Sequence, residues 1–209
     1  MTLAAGCPRC PSPVTAGEDE WRCPDHGPIT PLWRPTTAGY ESLVEHLGRC
    51  GPFPTLMPWP PRPGWAVTDF GCVARPGHEA RASFFSCSGA SALDGVVEVS
   101  VVSEEAGVGL GARCAGVRHT DPGADIAGPP QARLHVDGRP LPMWAVSTSD
   151  TAGFDRSVFA GEAQGRWLWL VMHPASAAFL LNDEWVLSDV AGMGPTLVDL
   201  EFGATPSAW

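Results

Sequence analysis

Two pairs of metal-ligand residues near the amino terminus constrain the fold of this chain more than any other feature. Cys7 and Cys10 form the first pair, Cys23 and His26 form the second, and each pair is separated by two residues. This spacing places both side chains of a pair on one tight turn, so two turns can supply the four ligands of a tetrahedral Zn²⁺ site. Because four protein ligands leave no open position, the pattern predicts one structural Zn²⁺ per chain.

Residues 1–35 are therefore predicted to form a small zinc-ribbon domain. A segment of this length buries too little apolar surface to fold alone, and the metal would supply most of its folding free energy, on the order of 10 kcal/mol. Its three arginines face four acidic residues, whereas ribbons that bind nucleic acid carry a basic face. A redox-active cysteine pair and chance spacing are the alternatives to a metal site.

The charged residues exclude several classes of function. The chain of 209 residues has a formal net charge of -10, and all 13 of its basic residues are arginines. Without lysine there is no P-loop lysine and no Schiff-base or general-base lysine. An acidic chain also repels phosphate backbones, which disfavours nucleic acid as a partner.

The cellular location follows from apolar runs and cysteines. No run of eighteen apolar residues is present, so we expect no membrane span. The segment before Cys7 has neither a basic nor an apolar region, which favours the cytoplasm over secretion. Thiols stay reduced there, so Cys50, Cys72 and Cys114, which lack partner spacing, are interpreted as small buried hydrophobes.

Residues 36–205 are predicted to form an antiparallel α+β domain with one or two helices. Tyr40, Leu43, Val44 and Leu47 give the clearest helical stripe, within a helix over residues 38–47, and His46 on another face is expected to be solvated. Short β-like runs separated by turn residues follow. They cover residues 65–73, 82–87, 96–102, 132–136, 142–147, 157–162, 166–172 and 197–202.

Two turn sequences indicate that neighbouring strands of this sheet run antiparallel. Asp137-Gly138 and Ala163-Gln164-Gly165 each separate two β-like runs, which predicts two hairpins and an antiparallel sheet. Both faces of residues 166–172 are apolar, so that strand is expected to be buried on both sides. Pro174 can open a short helix, but the rest of residues 174–195 shows no clear helical or strand periodicity of apolar residues, so no element is assigned there.

Two further groups of residues are candidates for ligand or partner binding. Trp59 lies within the proline-rich residues 52–64 and Trp65 directly follows them, which predicts either an aromatic groove or polyproline segment for a partner or a rigid loop pinned to the core. Glu104, Glu105 and Arg113 surround the glycine-rich residues 107–112, where they form either a polar ligand clamp or a solvated charged turn.

Several long motifs resemble a family of actinobacterial zinc-ribbon-containing proteins of unknown function, and the resemblance covers nearly the whole chain. The motifs are Cys-Pro-Arg-Cys, Trp-Arg-Cys-Pro-Asp-His-Gly, Met-Pro-Trp-Pro, Ser-Glu-Glu-Ala-Gly-Val-Gly-Leu-Gly-Ala-Arg and Phe-Ala-Gly-Glu-Ala-Gln-Gly-Arg-Trp-Leu-Trp. Some members of the family carry the label phosphotransacetylase. The missing lysine and the missing phosphate-binding loop give that label no support in this sequence.

The leading hypothesis is a non-catalytic cytosolic protein in which a structural zinc ribbon accompanies a domain that binds a protein partner or a small ligand. The alternative is an enzyme acting on a small acyl or phosphoryl substrate through Glu104, Glu105, the glycine-rich loop and Arg113. Nucleic-acid binding through the ribbon is a third hypothesis, and it requires a basic stripe that the sequence lacks.

Overall fold

Short apolar runs and turn residues fold this chain into a large, mainly antiparallel β-sheet with few helices. A computed structural model describes residues 3–18, 20–92, 94–148, 155–183, 185–203 and Trp209. Within these residues the chain is mostly β, which confirms the predicted antiparallel sheet. No helix in this part of the chain is long and apolar enough to cross a bilayer. The predicted domain end at residue 205 falls outside the described residues.

The described residues contain fourteen strands, two α-helices and three 3₁₀ helices. The strands are β1 (Leu3–Gly6), β2 (Thr15–Ala16), β3 (Trp21–Cys23), β4 (Gly27–Ile29), β5 (Leu32–Pro35), β6 (Leu56–Pro58), β7 (Ala66–Val73), β8 (Ala82–Ser91), β9 (Gly95–Glu104), β10 (Ala132–Val136), β11 (Arg139–Val146), β12 (Ser157–Ala163), β13 (Arg166–His173) and β14 (Val186–Asp189). The α-helices are α1 (Tyr40–Cys50) and α2 (Leu110–Ala115), and 3₁₀ helices cover Pro122–Ala124, Ala175–Asn182 and Gly194–Asp199.

The strands form two sheets. Over the described ranges, an eleven-stranded sheet has the order β1-β5-β7-β8-β9-β13-β12-β11-β10-β14-β6, and a small sheet has the order β2-β3-β4. Among the pairs of named strands, only β10 and β14 run parallel. Strands β1 and β5 belong to the large sheet, and the small sheet lies between them in sequence. The predicted boundary at residue 35 therefore follows a strand of the large sheet, and the division into two domains stays a prediction.

Both predicted hairpins are confirmed. Asp137 and Gly138 join β10 to β11, and Gln164 and Gly165 join β12 to β13. All four residues have φ between 50° and 75°, as a type I′ turn requires. The tight turns fix the register of these strands, because the turn type sets which residues of a hairpin face each other.

Strand β11 tolerates two prolines inside the sheet. Pro140 and Pro142 are two residues apart, so their ring nitrogens point to the same side of the strand. The β10 ladder keeps its pairing through this stretch, and β12 pairs with β11 only from Trp144 onward. The prolines therefore lie where the neighbouring ladder on one side has not yet begun.

Strand β13 is the centre of the core. Leu168, Leu170 and Met172 pack into an apolar cluster on one face, and Trp169 and Val171 pack into another cluster on the opposite face. Each of these five side chains is at most 1 % exposed. The prediction that this strand is buried on both sides is confirmed.

Helix α1 buries a different face from the one that its apolar residues predict. Leu43 is buried, but Tyr40 and Val44 are 45 % and 53 % exposed, while Ser42 and His46 are buried. The prediction of a solvated His46 is wrong. The polar atoms on the buried face have local partners: Ser42 Oγ donates to the Gly39 carbonyl at 2.9 Å, and His46 Nε2 lies 3.2 Å from Thr55 Oγ1. A stripe drawn from apolar residues alone cannot detect such a face.

The prediction of a last strand over residues 197–202 is also wrong. Gly194–Asp199 forms a 3₁₀ helix with proline in its first turn, a position that suits the fixed φ of proline. Only Phe202 makes an isolated bridge, to Val67 of β7. Ala175–Asn182 likewise forms a 3₁₀ helix, where the sequence predicts a short helix opened by Pro174.

Gly111 provides a test of how tightly α2 packs on the sheet. A Cβ atom at this position would lie 2.1 Å from the fully buried indole of Trp169, so Gly111→Ala should lower the free energy of unfolding by about 1–3 kcal/mol. Gly48→Ala is the matched control, because a Cβ there meets open space on α1 and should stabilise by about 0.5–1 kcal/mol. Urea denaturation measures both values, and equal stabilities for the two variants would contradict this packing.

Candidate metal centre

The four amino-terminal ligand residues lie on two turns beside the small sheet. Cys7 and Cys10 follow strand β1, where the chain leaves the large sheet. Cys23 ends β3, and His26 precedes β4 in the turn that pairs Cys23 with Gly27. Gly27 has φ of 67°, a conformation that glycine adopts at no steric cost. The register of a single short hairpin thus fixes the second pair of ligands.

The donor atoms of these four residues lie at distances suited to one tetrahedral ion. His26 Nδ1 is 3.6 Å from Cys7 Sγ, 3.5 Å from Cys10 Sγ and 3.6 Å from Cys23 Sγ. Cys10 Sγ is 3.5 Å from Cys23 Sγ. Bond lengths of about 2.3 Å for Zn–S and 2.0–2.1 Å for Zn–N imply edges of roughly 3.5–3.8 Å in a regular tetrahedron. The four residues therefore form a possible metal-binding site, and their donors fit Zn²⁺.

Burial and hydrogen bonding shift the pKa values of the two buried thiols, Cys7 and Cys23, in opposite directions. Burial raises the pKa of Cys7. Burial also acts to raise the pKa of Cys23, but the hydrogen bond with His26 and the backbone N–H groups of Asp25 and His26 outweigh it, so the pKa is lowered. One thiolate is thus favoured near neutral pH, and a bound divalent cation would deprotonate the remaining thiols.

Two arginines attach this cluster to helix α2 and the loop before it. Arg9 lies between Cys7 and Cys10, and its guanidinium donates to the carbonyls of Val108 at 3.0 Å and Gly107 at 2.6 Å. Arg113 of α2 donates to the carbonyl of Cys7. Nothing in the spacing of the ligands predicts these contacts, because they join segments about a hundred residues apart. The glycine-rich loop therefore packs against the cysteine cluster and holds it through these hydrogen bonds.

Glu104 and Glu105 have different surroundings, although they are neighbours in sequence. Glu104 is fully buried and accepts hydrogen bonds from the backbone N–H groups of Leu110 and Gly111, at 2.8 and 3.2 Å, and from Trp169 Nε1 at 2.7 Å. Its carboxylate thereby caps the first turn of α2. Glu105 lies near the surface and pairs with Arg81 at 2.8 Å.

The structure does not bring Glu104, Glu105 and Arg113 together as a clamp. Each has a separate partner: the start of α2, Arg81 and the Cys7 carbonyl, respectively. Burial raises the pKa of Glu104 to about 7, although its three hydrogen-bond donors act to lower it. A perturbed pKa often marks an active site, but here the carboxylate is enclosed and its hydrogen bonds hold a helix.

Trp59 and Trp65 are fastened to the core. Trp65 is 8 % exposed and packs edge-on against Trp185, with 6.2 Å between ring centroids. Trp59 is half-buried, and its backbone N–H donates to the Val186 carbonyl at 2.9 Å. The apolar cavity beside Trp65 and Arg62 has a volume of about 20 Å³, which is room for little more than one water molecule. These tryptophans hold the proline-rich stretch against the sheet.

Comparison with known proteins identifies a family. Residues 1–208 match the model of a family of unknown function, DUF6758. No curated protein matches the chain, and no solved structure does.

The buried carboxylate of Glu104 should give stability a specific pH dependence. Because its pKa rises from 4.5 to about 7 on folding, the folded state binds this proton more tightly. The resulting contribution to stability is full below pH 4.5 and is lost as the pH rises to about 7. The unfolding free energy of wild type minus that of Glu104→Gln, from urea denaturation, should therefore fall between pH 5 and pH 8.

Glu105→Gln is the control for this experiment, since it removes a carboxylate whose side chain is 47 % exposed. A difference for Glu104→Gln that stays constant or grows from pH 5 to pH 8 would show that the hydrogen bonds to Glu104 outweigh its burial.

Proposed function

The chain belongs to the DUF6758 family, and we propose that it is a non-catalytic zinc-ribbon protein that works in the cytosol by binding a protein partner. In this proposal Cys7, Cys10, Cys23 and His26 hold one structural Zn²⁺, and the ribbon comprises residues 1–35. None of the seven cysteines is paired in a disulfide, which supports a reducing compartment.

The spacing of the four donor atoms carries the metal part of the proposal. Four of the separations between these donor atoms are 3.5–3.6 Å, which fits the edges of a tetrahedron around a single Zn²⁺. Three thiolates and one imidazole are soft and borderline ligands that select zinc over magnesium or calcium. Four protein ligands fill the tetrahedron, so the ion would have no position for a substrate or a catalytic water.

The surroundings of the alternative enzyme residues favour a non-catalytic role. An enzyme that used Glu104, Glu105 and Arg113 would need them around one pocket, but Glu104 caps α2 from the core and Glu105 pairs with Arg81 near the surface. The Arg113 guanidinium donates a hydrogen bond to the Cys7 carbonyl. All three have a structural use that accounts for their position.

The exposed face of helix α1 is the proposed partner surface. Tyr40 and Val44 are four residues apart, so they are neighbours on the helix surface, and both are about half exposed. Glu41 and Glu45 lie beside them. A chain with a net charge of -10 attracts basic partners, so the expected partner is a protein with an apolar surface flanked by arginine or lysine. The same charge disfavours nucleic acid.

Loss of one metal ligand tests the proposed ribbon. Cys23→Ser should lower the zinc content by one equivalent per chain, measured by elemental analysis of the purified protein. Without the ion the small sheet loses most of its folding free energy, so amides of residues 15–16, 21–23, 27 and 29 should exchange with deuterium faster, whereas those of β13 stay protected.

Cys87→Ser is the matched control, because Cys87 is also buried but lies in β8 outside the cluster. Equal zinc content and equal exchange in Cys23→Ser and Cys87→Ser would show that the amino-terminal cluster holds no metal.

Photo-crosslinking in the native host tests the proposed surface. A photoreactive amino acid at position 40 should capture one protein partner, and Val44→Glu in the same chain should reduce that capture at least tenfold by placing a further charge in an apolar contact. Position 96 is the control, because Val96 is 76 % exposed at the start of β9. The surface is misassigned if positions 40 and 96 give the same products, or if Val44→Glu has no effect.

A further inference from the structure

A second group of metal-ligand side chains lies in the core, where helix α1 packs against strand β7. His46 and Cys50 lie in the last two turns of α1, and Cys72 lies in β7. All three side chains are 0 % exposed, and their donor atoms lie within 4.8 Å of one another. This group is separate in sequence from the amino-terminal ligands.

Helix geometry places two of these residues together. Residues four apart in a helix share one face, so His46 and Cys50 both point toward the sheet. Cys72 lies 22 residues after Cys50, in strand β7, which packs on that face of α1. No local spacing indicates the group, which explains why the sequence predicts Cys50 and Cys72 only as buried hydrophobes.

A fourth polar side chain, Thr55, completes the group. Its Oγ1 lies 3.2 Å from His46 Nε2 and 3.6 Å from Cys50 Sγ, while His46 Nε2 and Cys50 Sγ are 3.5 Å apart. In a tetrahedron around Zn²⁺, ligand bonds of 2.0–2.3 Å imply edges of about 3.3 Å between nitrogen and oxygen and about 3.5–3.6 Å to sulfur. The three distances among His46, Cys50 and Thr55 match these lengths, and the Cys72 sulfur lies within 4.8 Å of the His46 and Cys50 donors.

Charge balance selects the kind of ion that this enclosed group would accept. Two thiolates, a neutral imidazole and a hydroxyl carry a charge of −2, which a divalent cation would neutralise. A monovalent cation would leave a net charge, and burying an uncompensated charge is costly. Thiolate and imidazole ligands favour zinc over the harder magnesium and calcium ions.

We propose that His46, Cys50 and Cys72 form a second metal site, which binds one thiophilic divalent ion of the Zn²⁺ type with the Thr55 hydroxyl in the fourth position. The ion would join the end of α1 to β7 and to residue 55, three segments that otherwise meet only through packing and hydrogen bonds. With four buried protein donors the ion would have no open position, so its role would be structural. This site is independent of the proposed ribbon, and each can exist without the other.

Zinc stoichiometry of the full chain tests this proposal. Elemental analysis after gel filtration should give two zinc ions per wild-type chain. Cys72→Ser should contain one, and a variant that carries Cys10→Ser and Cys23→Ser should also contain one, held by the buried group. Cys114→Ser is the matched control, because Cys114 is 0 % exposed in α2 but belongs to neither group, and it should keep both ions.

Cobalt substitution keeps the test decisive if Cys72→Ser does not fold. The variant with Cys10→Ser and Cys23→Ser, folded by circular dichroism, should bind one Co²⁺ and show thiolate charge-transfer and tetrahedral d–d absorption bands. Adding His46→Ala should remove both sets of bands.

The two proposals fail in distinguishable ways. One zinc ion in wild type that Cys72→Ser retains, together with no Co²⁺ bands in the variant lacking Cys10 and Cys23, would overturn the buried site and leave the ribbon intact. Zinc that Cys72→Ser loses but Cys10→Ser and Cys23→Ser do not would support the buried site and contradict the ribbon.

Discussion

The polypeptide between Cys7 and His26 has very little apolar core of its own, so its conformation depends on what its side-chain donors bind. Among the described residues, the buried members of the apolar cluster in this region are Cys7, Cys23 and Ile29, and two of these are proposed ligands. A segment with so small a core needs another source of folding free energy. In the proposed ribbon that source is one Zn²⁺, and the segment lies between β1 and β5, two paired strands of the large sheet.

In the proposed ribbon, electrostatics would account for the two arginines that lie against the cluster. Three thiolates and one Zn²⁺ would leave the proposed site with one net negative charge. The guanidinium groups of Arg9 and Arg113 lie on the side where the cluster meets α2. Burial lowers the pKa of Arg113, and negative charge at Cys114, then at Cys7 and Cys10, acts in the opposite direction. The glycine-rich loop fits this arrangement, since its carbonyls accept from Arg9 and its backbone N–H groups bind Glu104.

The parts of the structure that the sequence predicts are those set by local rules. The Asp137-Gly138 turn predicts its hairpin because two adjacent residues with positive φ are enough to reverse a strand. The ligand spacing of Cys7 to His26 likewise lies within one short segment. The buried face of α1 was mispredicted because its polar members, His46 and Ser42, find partners that a hydrophobic pattern does not record. Glu104 could not be assigned either, since its partners depend on where α2 lands on β13.

Anomalous diffraction at the zinc absorption edge tests the central claim most directly. The amino-terminal cluster should show one strong peak, about 2.3 Å from the sulfurs of Cys7, Cys10 and Cys23 and about 2.0–2.1 Å from His26 Nδ1. A map without a peak there, in which the three sulfurs have moved apart or Cys10 and Cys23 have joined in a disulfide, would contradict the claim that one ion organises the first thirty-five residues.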